Sequence, residues 1–145
     1  MDIDCDYYRH VTVGLSLDRT VAKLTRALQA AGFVINGGAD LESMVADRLD
    51  RRVGRAVALH VYDPKVTVIV LDESPELAAF LPFTVAVRET ARDRTVVSVA
   101  APLGMVTADA AWRHDHPGAR ALVARTEARL GDVLSSVVHG ATVAA

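Results

Sequence analysis
At 145 residues the chain is long enough for one ordinary domain, and a chain of that size folds without needing a disulfide or a metal. Hydrophobic residues make up 51% and charged residues 23%, which excludes an intrinsically disordered composition. The formal net charge of -2 argues against a general nucleic-acid binder, which would show a basic face.

Cys5 is the one cysteine, so no intramolecular disulfide can form and a reducing cytoplasm is the default location. Asp2, Asp4 and Asp6 stand where a signal peptide would be basic. The apolar runs, such as residues 66–71, are too short to cross a bilayer. Neither a membrane nor a nucleic acid is therefore expected as a partner, and nothing in the sequence asks for a cofactor.

Residues 1–9 read as a frayed tail. Over 10–17, Val11, Val13, Leu15 and Leu17 alternate with polar or small residues, the pattern of a half-buried strand. Asp18 offers an N-cap, and Val21, Leu24, Leu28 and Ala31 recur at helical spacing up to Gly32. Residues 33–35 begin a second strand, which Asn36-Gly37-Gly38 is expected to break with a turn or a bulge. Residues 40–50 read as a short helix capped by Asp40, with Leu41, Met44, Val45 and Leu49 on its apolar side. Arg51, Arg52 and Arg55 form a basic cluster that reads first as a solvated loop.

Residues 55–62 form a strand, with Val57, Leu59 and Val61 facing one way and Ala58, His60 and Tyr62 the other. Two readings of 64–73 stand side by side. The β-branched run 66–70 favours a strand and a hairpin. Asp63 and Pro64 favour a helix, because they suit its N-cap and first position. A helical turn from Pro75 ends at Pro82. Residues 83–89 and 95–100 pair as an antiparallel hairpin across a polar loop of four to five residues. Pro117 opens the final helix, whose stripe is Ala119, Leu122, Val123, Thr126, Leu130, Val133, Leu134 and Val137, with Gly140 as its end.

The order His60-Val61-Tyr62-Asp63-Pro64, Ser74-Pro75-Glu76-Leu77, Leu81-Pro82-Phe83 and Arg88-Glu89 resembles the bacterial and archaeal family called domain of unknown function 302. The opening strand, the following helix and the long final helix extend the resemblance over about residues 10–138. It implies an α+β fold: a mostly antiparallel curved sheet of about five strands packed against helices, of the TATA-binding-protein-like class. It implies one domain over 10–139 followed by a short tail, a helix at 64–73, and a homodimer. The cysteines of the family motifs are replaced here by Tyr62 and Phe83, which casts doubt on thiol chemistry.

No complete catalytic set is legible. Ser16, Ser43 and Ser98 lack a nucleophile-elbow context. The candidates for ligand binding are His60, Tyr62 and Asp63, at a strand–helix junction where exposed N–H groups favour anions, with Arg88 and Trp112. Arg88 and Glu89 also read as a surface ion pair. His114 and His116, two apart with Asp115 between them, are the candidate metal ligands. The leading expectation is a non-catalytic homodimer that binds a small apolar molecule or a protein partner. The alternative is a metal-assisted or histidine-based hydrolase using His60, Asp63, His114 and His116.

Overall fold
The computed structural model describes residues 2–5, 8–100 and 117–142. Among them, six strands form one sheet: β1 (Asp2–Cys5), β2 (Tyr8–Val13), β3 (Val34–Asp40), β4 (Ala56–Tyr62), β5 (Phe83–Ala91) and β6 (Arg94–Ala100). The order is β1-β2-β6-β5-β4-β3, and every ladder is antiparallel. The helices are α1 (Leu17–Ala30), α2 (Leu41–Ala46), α3 (Pro64–Glu73) and α4 (Pro117–Thr142), with a 3₁₀ segment at Pro75–Phe80. This is the α+β arrangement expected from the sequence. The short edge strand β1 is added from residues that read as a frayed tail.

Alternation along the strands creates an inner face. Val11 and Val13 of β2, Val97 and Val99 of β6, Phe83, Val85 and Val87 of β5 and Val61 of β4 are all buried there. α1 lies over β3, β5 and β6; α4 lies over β2 and also packs against α1 and α3. Leu24 and Leu28 from α1 meet Leu130, Val133, Leu134 and Val137 from α4 in one core. Burying a side chain of this size contributes about 1.5–3 kcal/mol, so the stripe on α4 is a large part of what holds the helix to the sheet. Within the core, the hydroxyls of Thr20 on α1 and Thr95 on β6 share a 2.8 Å hydrogen bond. Both are fully buried.

Local chemistry explains where the elements begin, and it departs from the sequence reading in places. Ser16, not Asp18, caps α1: its backbone is extended and its hydroxyl accepts from the Arg19 N–H. Asp18 falls in the first turn instead. β3 runs straight through Asn36-Gly37-Gly38, and the extra residue is absorbed as a bulge between Ile35 and Gly37. Gly38 is required there, because a Cβ would lie 2.5 Å from the Ala58 carbonyl oxygen on β4. Asp40 does cap α2, accepting from Ser43 N–H at 3.1 Å, but the helix ends at Ala46, short of Leu49, and both Met44 within it and Leu49 beyond it are exposed.

α3 is helical despite Val66, Thr67, Val68, Ile69 and Val70. Asp63 accepts from the N–H groups of Lys65 (2.8 Å) and Val66 (3.4 Å), and Pro64 fills the first position. Those two residues nucleate the turn, and burial of Val66 and Val70 supports it. The β5–β6 connection is tighter than expected: only Arg92 and Asp93 separate the strands, with Asp93 at a φ of 52°. α4 continues past Gly140 to Thr142.

Candidate functional site
Three segments converge where β4 gives way to α3. Asp63 is 5% exposed. Its carboxylate caps α3 and also receives an N–H from Arg129 on α4. Arg129 donates a second N–H to the Ala31 carbonyl oxygen, 2.9 Å away, at the end of α1. Its guanidinium lies 4.7 Å from the centre of the Phe33 ring. The orphan carbonyl at the end of one helix, the cap of another and the side of a third are thus tied through one planar cation. Close by in sequence, Glu127, 6% exposed, meets Arg9 of β2 at 2.5 Å.

On the other side of β4 the surroundings change. Strand alternation turns His60 and Tyr62 away from the core that Val61 enters. Tyr62 lines a cleft of about 320 Å³ together with Asn36, Thr67, Leu71, Ala78, Leu81 and Pro82. The walls are β3 at its bulge, the outer side of α3 and the 3₁₀ segment with the chain following it. The lining is apolar apart from the Asn36 amide and the hydroxyls of Tyr62 and Thr67. The Thr67 hydroxyl already donates to the Asp63 carbonyl oxygen at 2.9 Å. The cleft carries no fully charged side chain at neutral pH. Its size falls in the range of small-molecule sites.

A profile of the family described as Domain of unknown function DUF302 matches residues 9–137. The chain belongs to the DUF302 family. A search of solved structures finds the crystal structure of an uncharacterized conserved protein DUF302 from Bacillus stearothermophilus, with a TM-score of 0.76 and 21% identity, covering 88% of this chain and 95% of that one. No curated protein matches the chain. At that identity the structural match establishes the shared DUF302 fold. Two of the four segments that carry the resemblance to DUF302 meet at the cleft, since Tyr62 comes from 60–64 and Leu81 and Pro82 come from 81–83. Phe83 points instead into the core, where its ring meets Phe33 edge-on at 6.1 Å.

The candidates from the sequence therefore divide. Tyr62 lies in the cleft, and His60 is half-buried on the same face of β4. Asp63 faces the other way, and its carboxylate is committed to α3 and to Arg129, so it does not join His60 as an acid–base pair. Arg88 is exposed on β5 and does not pair with Glu89. Adjacent strand residues point to opposite faces, and Glu89 faces Arg55 at 3.8 Å. Trp112, His114 and His116 lie outside the described residues. His10, stacked on Tyr8, is three strands from His60 in the sheet. That spacing is roughly 14 Å and too far for both to bind one metal. Among the described residues no group of three or more His, Cys, Asp or Glu side chains could hold a metal ion.

Asn36, Leu71 and Arg129 were not apparent as site residues. The bulge that brings Asn36 to the cleft is set by tertiary pairing. Leu71 looks in sequence like one more apolar helical residue. For the ion pairs a signal did exist: Glu127 occupies a stripe position between Val123 and Leu130. A charge on a buried stripe calls for a partner.

Proposed function
We propose that this DUF302 domain is a non-catalytic binding module and that the cleft at Tyr62 takes a small, mainly apolar, uncharged molecule with one hydrogen-bonding end. The observation that carries this reading is the meeting of two of those four segments, at Tyr62 and at Leu81 and Pro82, on one apolar cleft. The Asn36 amide and Tyr62 hydroxyl are the two polar groups there with no bond elsewhere among the described residues. An uncharged lining favours a neutral ligand, because a bare charge entering it would lose hydration without gaining a partner.

Thermal shift and native mass spectrometry on purified protein test it. A panel of neutral aromatic amides and phenols should contain members that stabilise the parent chain and not Leu71→Arg, whose side chain would occupy the cleft. Panel members that stabilise both proteins alike, or none that stabilises either, overturn it.

Val68, Leu71 and Phe80 are large apolar side chains exposed on α3 and the 3₁₀ segment, and they support an apolar protein partner as a second reading. Family resemblance supports a homodimer; sedimentation equilibrium showing one monomer mass at all concentrations would overturn that. A lone cysteine supports a cytoplasmic location.

A further inference from the structure
We propose that a second cleft, between the start of α1 and the β3–β4 pair, binds a small hydrophobic amine: an apolar body carrying one ammonium group. The cleft has a volume of about 500 Å³. Its floor is apolar, built from Leu17 and Val21 of α1 with Val57 and Leu59 of β4, and its mouth carries Asp18, Asp40 and Arg55. No residue of the first cleft lines it, so the two sites stand or fall separately.

The charges at the mouth select the sign of the ligand. Arg55 is the cation there, and it is already engaged: it donates to Asp18 at 2.8 Å and faces Glu89 at 3.8 Å. Glu42 and Asp40 also lie within its electrostatic reach. Of the charged groups lining the mouth, two are carboxylates and one is a guanidinium, so the surplus there is negative. Asp40 has no cation in direct contact among the described residues; its carboxylate is turned to the helix cap, where it accepts from the Ser43 N–H. An ammonium group at the mouth would meet that surplus while its hydrocarbon body covered Val21, Val57 and Leu59. A carboxylate ligand of the same shape would be repelled, and an alcohol would gain only the apolar contact.

The experiment uses 2-phenylethylammonium, 2-phenylethanol and 3-phenylpropanoate as probes. Binding is followed at pH 7 through the backbone amide signals of the full chain. The amine should move the signals of Gly38, Asp40, Val57 and Leu59 and bind about two- to fivefold more tightly than the alcohol, the range for one exposed charge pair. The carboxylate should bind more weakly than either. Asp40→Asn keeps an N-cap-forming side chain and should weaken the amine about threefold while leaving the alcohol unchanged. Ala22→Phe, at an exposed helical position lining the cleft, should abolish binding of both. Equal affinity for amine and alcohol, amine binding that survives Ala22→Phe, or no shift at millimolar amine would overturn the proposal.

Discussion
Arg129 and Asp63 are 66 residues apart in sequence and form the joint at which α1, α3 and α4 meet. Asp63 is nearly buried, while the Arg129 side chain keeps 38% of its exposure. Removing the cation therefore leaves a buried carboxylate with only its two backbone donors. Arg129→Met should lower stability by about 2–3 kcal/mol, below the range for a fully buried pair because the guanidinium is partly wet. Asp63→Asn together with Arg129→Met should recover much of that, since asparagine still caps α3. Urea unfolding midpoints of the single and double variants decide it. A double variant as unstable as the sum of the singles would show that the two groups act independently.

Gly38 supplies a sharp test of β3–β4 packing. Gly38→Ala places a methyl group against the Ala58 carbonyl oxygen, and the strands must move apart. The cost should be about 1–3 kcal/mol. Gly14→Ala, where a Cβ meets nothing within 4 Å, should stay within about 0.5 kcal/mol of the parent. Similar losses at both positions would mean that the close approach is not what requires glycine.

Asp40 gives a pH dependence with a defined sign. The Ser43 N–H holds its carboxyl below the ordinary value of 3.8. A folded-state pKa below the unfolded one means that the charged form contributes stability above pH 3.8, and that this contribution disappears as the pH falls through the lower folded value. Asp40→Ala should therefore be less stable than the parent at pH 7, and the gap should close in strong acid. Chemical denaturation at a series of pH values checks this. A gap that stays constant down to about pH 2, well under the ordinary carboxylate range, would contradict it.

Val68 is 57% exposed in the middle of α3, where its branched side chain is a poor helix former. Val68→Ala should raise stability by about 0.5 kcal/mol. A loss of similar size, measured by thermal unfolding, would show that Val68 packs against something the described residues do not include.

α3 also marks the limit of what local sequence can say. Its composition favours a strand, and the helix follows from Asp63, Pro64 and burial of two valines, so the two readings could not be separated without the family resemblance. The strands of the inner face were legible because at 57–61 and 83–87 large apolar residues alternate with small or polar ones, and 95–100 followed as the returning strand of the hairpin. The Tyr62 cleft was only half legible. Tyr62 stood out as a motif position, but Asn36, Leu71 and Pro82 come from separate segments, and no spacing rule links them. Asp63 was recognised as a cap, yet its main partner sits on the last helix, where an arginine beside a stripe looks like ordinary surface.

The position of α4 in the chain has a temporal consequence. During synthesis β1 to β6 and the first three helices emerge first. Val11 and Val99 must then wait for Leu130, Leu134 and Val137 to complete the core around them. A nascent chain at that stage offers a sticky, half-clothed sheet, and a chaperone at the ribosome exit would find its natural foothold there.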